Sequence, residues 1–249
     1  MRLKIDQLLA TLNFKGMASA LDEILTRAQQ QALSVQETLS LLLAEEHRYR
    51  QERSMLYRIQ QARLPWDWSL ESFPFELQPG VSQAHIRSLA GLEFLQRAQN
   101  LILIGPPGTG KTGLAVGLTR KALLNGYRGR FYNAQDLLDE LFASLADRTS
   151  TRLLKRLAAY EPLLIDELGY LSLKPEQTNA FFKLMEMRYN RKSTIITTNL
   201  PFHAWYSLFQ RKPLVDALLD RLQHHCITLE IEGPSLRSPQ ANTAAEATS

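Results

Sequence analysis

The sequence predicts an α/β protein in which helices cover both faces of a parallel sheet, preceded by a small all-helical domain. Two observations lead to this prediction. From about residue 81 onward, short apolar runs alternate with longer segments of helical periodicity. The run Leu101–Ile104 is entirely apolar, as expected of a strand that is buried on both faces. Residues 1–63, by contrast, have apolar residues at helical spacing and are predicted to be helical.

Within the α/β region, the predicted elements follow one another in regular alternation. Strands are predicted at 101–104, 131–133, 163–165, 194–198 and 227–231. Helices are predicted at 111–124, 136–146, 149–159, 175–191 and 213–223. The end of the chain, residues 238–249, is rich in Ser, Ala and Thr and is predicted to be a disordered tail.

The N-terminal region is predicted to be a helical domain, residues 1–63, that contacts a partner or DNA. Ser34 and Glu37 have the spacing of a capping box at the start of one helix. Residues 64–80 contain three prolines, which break helices, and are predicted to be a linker whose aromatic side chains pack on the next domain. Stacking of Trp66 or Trp68 on nucleic-acid bases is the alternative.

Length and composition exclude several classes of protein. The 249 residues, of which 45% are hydrophobic, suffice for one sizeable core and an accessory domain. No uncharged apolar stretch reaches the roughly 18 residues of a membrane span, and the charged N-terminus does not read as a signal peptide. The single cysteine, Cys226, excludes an internal disulfide, so we expect a cytoplasmic protein.

A glycine-rich loop lies between the first predicted strand and the helix that follows it. Its glycines allow the backbone to wrap closely around an anion, and the start of the helix favours negative charge. Lys111 would contact the β- and γ-phosphates of ATP, and the Thr112 hydroxyl would bind Mg²⁺. The predicted nucleotide-binding residues are Gly105, Pro106, Pro107, Gly108, Thr109, Gly110, Lys111 and Thr112.

Two adjacent carboxylates follow the third predicted strand, and in a parallel sheet the end of that strand lies near the phosphate loop. We expect Asp166 to hold Mg²⁺ and Glu167 to activate the attacking water as a general base. Acidic residues also commonly end strands at a surface without any catalytic role. The distance from the loop and the apolar strand favour the catalytic interpretation.

Other polar residues are candidates for contacts with the nucleotide. Asn199 ends the fourth strand and would position the attacking water, although asparagine is also a common turn residue. Arg221 would stabilise charge on the γ-phosphate of a neighbouring subunit, or else form an ordinary ion pair on a helix surface. Arg237 is a weaker candidate for nucleotide sensing. His224 and His225 lack the accompanying acidic and cysteine residues of a metal site and are interpreted as structural.

Positive charge is clustered within the α/β region, and the formal net charge is +4. Such clusters are either solvated helix faces or contacts to nucleic-acid phosphates. Three clusters in one domain favour nucleic acid. Their members are Arg97, Lys111, Arg120, Lys121, Arg128 and Arg130, then Arg148, Arg152, Lys155 and Arg156, and finally Lys183, Arg188, Arg191 and Lys192.

In order and spacing, the motifs resemble those of the AAA+ ATPases, and most closely the IstB-like ATPase helpers of insertion-sequence transposons. The resemblance rests on the strings at 105–112, 163–170, 197–199, 220–225 and 233–237, and it covers about residues 1–237. It implies non-sequence-specific binding of double-stranded DNA, oligomerisation with ATP, and recruitment of a transposase. Arg221 resembles the arginine finger of the family. The usual helical lid is expected to be absent, because little sequence follows residue 231.

Three other functions are consistent with parts of the sequence. A helicase loader of the DnaC type would share the ATP motifs and differ in the partner of residues 1–63. A small-molecule kinase would also have a phosphate loop, but it needs a substrate lid and an acceptor pocket for which no segment is evident. A DNA-binding scaffold with a vestigial ATP site conflicts with the intact Lys111, Thr112, Asp166 and Glu167.

Overall fold

A computed structural model describes residues 2–169, 173–209 and 212–237, so the predicted tail at 238–249 lies outside the described residues. The chain forms two compact units, Met1–Tyr57 and Arg58–Ser249. The sequence placed this boundary near residue 63. Residues 58–62 belong to the second unit because the Arg58 Nε donates to the Leu123 carbonyl at 3.1 Å and Arg130 Nη1 donates to the Gln61 carbonyl at 2.6 Å.

The first unit is built from helices around a small apolar cluster that includes Met17, Leu21 and Leu42. The Ser34 amide donates to Glu37 Oε2 at 2.7 Å and the Glu37 amide donates to Ser34 Oγ at 3.2 Å, so the predicted capping box is present. The helices are α1 (Arg2–Thr11), α2 (Lys15–Gln31) and α3 (Val35–Ala62), whose last residues reach into the second unit.

The second unit contains a parallel sheet of five strands in the order β2-β3-β4-β1-β5, counted over the described ranges. The three inner strands are short and buried along their whole length, as expected of strands that helices cover on both faces. The strands are β1 (Asn100–Ile104), β2 (Arg130–Asn133), β3 (Leu163–Asp166), β4 (Thr194–Thr198) and β5 (Cys226–Glu230).

Helices connect the strands, as the sequence predicted. The helices of the second unit are α4 (Gln83–Leu89), α5 (Glu93–Gln96), α6 (Lys111–Leu124), α7 (Ala134–Ala146), α8 (Ser150–Ala159), α9 (Pro175–Arg188), α10 (Trp205–Phe209) and α11 (Lys212–His224). Short 3-10 turns occur at Phe75–Leu77 and Phe202–Ala204. Between β5 and residue 237, the part of the chain that is described has no lid helix.

Successive residues of the central strands point to opposite faces of the sheet and so enter two separate clusters. Ile102 of β1 packs with residues of α7, α8, α9, α10 and α11. Leu101 and Leu103 pack on the other face with α4, α5 and α6. The fully apolar run of β1 is therefore explained by burial on both faces.

One helix ends earlier than the sequence predicted. Helix α9 ends at Arg188 rather than residue 191, and the buried Arg188 guanidinium reaches past the helix end to the Ser193 carbonyl and the Thr194 hydroxyl. In the segment 64–80, Phe73 belongs to the cluster that includes α6 and Trp68 packs against it, which agrees with the predicted packing of the aromatic side chains. Across the described ranges, no helix combines the length and apolar character that crossing a membrane requires.

Candidate nucleotide-binding site

The glycine-rich loop connects β1 to α6 at the edge of the sheet where the parallel strands end. Gly108 has φ +83° and Gly110 has φ +88°, a left-handed conformation that side chains rarely adopt. Helix α6 starts without a side-chain cap, so the amides of its first turn remain available to a ligand. A loop of this shape followed by a free helix N-terminus fits an anion such as a phosphate.

Lys111 lies in the first turn of α6 with its ammonium inside the loop. Its Nζ donates to the Pro106 carbonyl at 2.7 Å, and the Thr109 hydroxyl donates to the same carbonyl at 2.9 Å. Burial lowers the pKa of the Lys111 ammonium, while the nearby charge of Asp166 opposes this and that of Arg237 adds to it. A positive charge that is partly desolvated and that has, among the described residues, a single carbonyl partner is well suited to bind a polyanion.

Thr112 and Asp166, the predicted metal ligands, are in direct contact. The Thr112 hydroxyl donates to Asp166 Oδ1 at 2.8 Å, and the Thr197 hydroxyl donates to the same oxygen at 2.5 Å. Burial raises the pKa of the Asp166 carboxyl, and the two hydroxyls offset part of this rise. Hydroxyl and carboxylate oxygens are ligands that Mg²⁺ accepts. The described residues contain no group of three or more metal-binding side chains, so phosphates and water would complete its coordination.

Glu167 follows β3 in an unusual conformation for a non-glycine residue, with φ +60°. Its amide donates to the Thr197 hydroxyl at 2.9 Å, and its Oε2 accepts from Asn133 Nδ2 at 3.2 Å. With these contacts, Glu167 lines the cavity. Sequence reasoning did not single out Asn133 or Thr197 as site residues, although Asn133 ends β2 and Thr197 is the penultimate residue of β4, the two strands beside β3.

A cavity of about 250 Å³ joins the loop, Lys111, Thr112 and Glu167, and the buried Asp166 contacts it through Thr112. Asn199 and Arg237 also line this cavity, and their roles toward a nucleotide stay predictions. The segment that carries Arg237 is held against the loop, because the Leu236 amide donates to the Gly108 carbonyl at 2.9 Å. The lining residues are Trp66, Trp68, Pro107, Gly108, Gly110, Lys111, Thr112, Gly113, Glu167, Thr197, Thr198, Asn199, Leu236 and Arg237.

A family model described as "IstB-like ATP binding protein" matches residues 7–244. The chain belongs to the IstB-like ATP-binding family. An insertion sequence IS21 protein of Pseudomonas aeruginosa, described as ATP-binding, is 38% identical over 241 residues, which cover 97% of this chain and 91% of that protein. A similarly described protein of insertion sequence IS232 from Bacillus thuringiensis is 35% identical over 227 residues, covering 91% and 90%.

Solved structures confirm the AAA+ fold of this IstB-like chain. The DnaC helicase loader is 28% identical with a TM-score of 0.52, covering 60% of this chain and 87% of that one. The DnaA protein of Aquifex aeolicus bound to AMPPCP is 26% identical with a TM-score of 0.57, covering 68% of this chain and 51% of that one.

Arg221 of the IstB-like chain does not lie in the nucleotide cavity. It belongs to α11, where its guanidinium is 3.5 Å from Glu186 and its side chain is 40% exposed. Both residues line a small hollow with Asn100, at the start of β1 and therefore at the opposite edge of the sheet from the loop. Arg221 consequently cannot contact the nucleotide of its own chain.

The basic clusters of the IstB-like chain are only partly free of ion pairs. Arg120 pairs with Asp67, Arg156 with Glu140 at 2.5 Å, and Lys192 with Glu161 at 2.5 Å. Arg130 and Arg188 are buried and donate to carbonyls, which is a structural role. The exposed members are Arg97, Arg128, Arg148, Arg152, Lys155, Arg156, Lys183 and Arg191, and of these Arg97 also forms an ion pair, with Glu93 at 3.1 Å. The rings of His224 and His225 contact each other edge to face, away from any described metal-binding group.

Proposed function

We propose that the chain is a Mg²⁺-dependent ATPase. The observation that carries the proposal is the convergence of Lys111, Thr112 and Glu167 on one cavity, with the buried Asp166 carboxylate bonded to the Thr112 hydroxyl directly behind it. Lys111 and the loop amides hold the phosphates, and Thr112 and Asp166 hold Mg²⁺, which neutralises the charge on the phosphates.

In the reaction, Glu167 acts as the general base. The water oxygen bonds to the γ-phosphorus while the bond from that phosphorus to the β–γ bridging oxygen breaks, giving ADP and phosphate, and Glu167 takes the proton of the water. The hydrogen bond from Asn133 and the amide contact to Thr197 orient the carboxylate. Asn199 lines the cavity and positions the water from the other side.

A nucleotide-gated homo-oligomer is the second part of the proposal. Arg221 is exposed at the edge of the sheet remote from its own cavity, so a neighbouring subunit is the place where it contacts a γ-phosphate. ATP then adds a contact between subunits, and its hydrolysis removes that contact. In the free chain, Arg221 forms a weak ion pair with Glu186. On assembly, Arg221 leaves this pair and contacts the nucleotide of the neighbouring subunit.

We further propose that the oligomer assembles on double-stranded DNA without sequence preference and recruits a transposase from the same element. The exposed basic residues near Arg128 and Arg148–Arg152 support phosphate contacts. The relatives from Pseudomonas and Bacillus carry names that place them in insertion sequences, which supports a transposase as the partner of residues 1–63 in the cytoplasm. A transposase gene beside this one would agree with this proposal.

Helicase loading is the alternative, because a DnaC helicase loader has the same fold. The two functions differ in the protein that binds the N-terminal helices. Co-purification of the full chain with the element's transposase, and not with a replicative helicase, is the expected outcome. Capture of the helicase alone would favour the alternative.

Glu167→Gln tests the ATPase. This substitution keeps the size of the side chain and its bond from Asn133 but removes the basic carboxylate. We expect normal ATP affinity by calorimetry, a loss of turnover on the order of 10²–10⁴-fold, and longer-lived assemblies on DNA. The exposed Glu76 lies outside the cavity, and Glu76→Gln should turn over ATP normally. Normal turnover by Glu167→Gln would contradict the assignment, and phosphorylation of a small acceptor would favour a kinase.

A further inference from the structure

Two tryptophans border the cavity. Trp66 and Trp68 line the same space as Lys111 and Thr112, although neither belongs to a motif of the ATP site. The Trp66 side chain is 53% exposed, which leaves a broad indole face open to a ligand. An exposed aromatic ring at a nucleotide cavity is a surface on which a base can stack.

Trp68 lies against the first turn of α6. A Cβ atom placed on Gly113 would be 3.3 Å from the Trp68 ring, so the absence of a side chain at this position is what lets the indole approach the helix backbone. Gly113 directly follows Thr112. The ring therefore lies beside the first turn of α6, within reach of a ligand whose phosphates occupy the loop.

The indole Nε1 of Trp68 is buried and has no hydrogen-bond partner in the described chain. A buried N–H group without a partner is unfavourable, and tryptophan usually satisfies this group when it is buried. Trp205, the third tryptophan, follows the rule, since its Nε1 donates to the Leu200 carbonyl at 3.3 Å. The unsatisfied donor is thus specific to the tryptophan at the cavity, and it points to an acceptor that a ligand supplies.

The segment that carries both rings is fixed to α6 rather than loose. We name residues 66–70 the tryptophan segment. Asp67, between the two rings, forms an ion pair with Arg120 of α6. Leu70 packs over Gly117, one turn beyond Gly113, where a Cβ atom would lie only 2.7 Å from the leucine side chain. Anchoring on both sides of Trp68 orients its ring before any ligand binds, which lowers the entropy cost of binding.

We propose that the tryptophan segment recognises the nucleoside part of the bound triphosphate, with Trp66 stacking on the base and the Trp68 N–H donating to an acceptor of the nucleoside. The inference rests on the proposed function and assigns to these residues the preference for a nucleoside triphosphate over a bare triphosphate. DNA is the less favoured ligand, because the bases of a duplex are stacked within it and the rings border the same cavity as Lys111 and Thr112.

Calorimetry on the full chain tests this by comparing Mg–ATP with Mg–tripolyphosphate. Trp66→Ala should weaken ATP binding roughly tenfold and leave tripolyphosphate binding unchanged, while Trp66→Phe, which keeps an aromatic face, should stay close to the parent. Trp68→Phe, which keeps a ring but lacks the N–H, should weaken ATP binding by roughly five- to tenfold. Phe142 is another partly exposed aromatic residue, outside the cavity, and Phe142→Ala should change neither affinity.

A second measurement needs no substitution. ATP should quench tryptophan emission, and tripolyphosphate should not. The proposal is overturned if Trp66→Ala and Trp68→Phe bind ATP like the parent, if both ligands lose affinity equally, or if only DNA affinity falls. It is also overturned if ATP leaves the emission unchanged. A parent chain that binds tripolyphosphate as tightly as ATP contradicts this inference alone, whereas one that binds neither contradicts the ATPase as well.

Discussion

Two basic side chains lie at opposite ends of the parallel strands and differ in the number of hydrogen-bond acceptors around them. Arg188, at the edge where the strands begin, is 1% exposed and donates to the carbonyls of Leu157, Tyr160 and Ser193 and to the Thr194 hydroxyl. Lys111, at the edge where the strands end, donates to one carbonyl and faces a cavity.

This difference separates a structural cation from a binding cation. Burial lowers the pKa of Arg188 to about 9, yet the group stays charged at neutral pH and is surrounded by acceptors. The hydrogen bonds of the Arg188 guanidinium therefore stabilise the fold. Lys111 retains donors that the protein leaves unsatisfied, so its charge is available to a ligand. The comparison predicts opposite consequences for the two substitutions.

The largest effect on stability is expected from Arg188→Ala. The substitution leaves several buried acceptors unpaired where helices α8 and α9 meet the sheet, so the free energy of unfolding should fall by about 3–4 kcal/mol. Urea denaturation followed by circular dichroism measures this loss. The exposed Arg191 lies three residues away, and Arg191→Ala should change stability by less than about 0.5 kcal/mol. Equal stability of the two variants would mean that the carbonyl contacts contribute little.

Lys111→Ala should have the reverse profile. Loss of its charge-assisted contacts should weaken ATP binding by on the order of a hundredfold, while the free energy of unfolding stays within about 0.5 kcal/mol of the parent. Calorimetry and urea denaturation measure the two quantities on the same preparation. Lys183 is exposed on α9, and Lys183→Ala serves as the control for removal of a lysine charge. A large loss of stability in Lys111→Ala would place it beside Arg188 as a structural cation.

Arg221 is a third kind of cation, because we propose that it contacts the nucleotide bound by a neighbouring subunit. Arg221→Ala should bind ATP but hydrolyse it poorly, because each cavity lacks the arginine of its neighbour. Mixing Arg221→Ala with Lys111→Ala should restore part of the ATPase activity, since a Lys111→Ala subunit still provides Arg221 to an intact cavity. No recovery at any mixing ratio would contradict delivery between subunits.

The smallest effect is expected from Asp166→Asn. Like Lys111, Asp166 lies where the strands end, and its charge is predicted to serve a ligand rather than the fold. Burial raises the pKa of Asp166 above its ordinary value of 3.8. Between pH 3.8 and the raised pKa, the folded chain therefore keeps a proton that the unfolded chain has released. Stability contributed by Asp166 is thus present at low pH and is lost as the pH rises from 3.8 through the raised pKa. At pH 7 the ionised carboxylate opposes folding.

Asp166→Asn should therefore stabilise the ligand-free chain at pH 7 by on the order of 1 kcal/mol, while it abolishes stabilisation by Mg–ATP. Asn can still accept from Thr112 and Thr197, so the local packing is kept. Thermal unfolding with and without Mg–ATP, at pH 5 and pH 7, measures both effects. An asparagine variant that is less stable than the parent at pH 7 would show that the carboxylate serves the fold instead of the ligand.

Much of the fold and part of the site could be predicted from the sequence, because their signals are local. The bounds of α6 and β4 agree with the prediction, since each is marked by a continuous run of apolar or helical residues. The contact between Thr112 and Asp166 follows from two motifs that each end at the same edge of a parallel sheet. Catalytic roles for these residues stay predictions that the experiments above test.

The remaining site residues depend on long-range geometry that no local pattern contains. Asn133 reaches Glu167 because β2 lies beside β3, with Asn133 in register with Asp166. The place of Trp68 is set by glycines of α6 that are more than 40 residues away along the chain. Arg237 reaches the cavity through a backbone contact to the phosphate loop rather than on a lid helix. Only the folded arrangement reveals these neighbours.

The end of β3 places two neighbouring carboxylates in different surroundings, since Asp166 meets Thr112 and Glu167 meets Asn133. Asp166 is the last residue of β3, whereas Glu167 already lies outside the strand with φ +60°. This left-handed residue, rather than the regular alternation of a strand, sets the direction of the Glu167 side chain. The different roles of the two carboxylates thus depend on where the strand stops, more than on the presence of two acids.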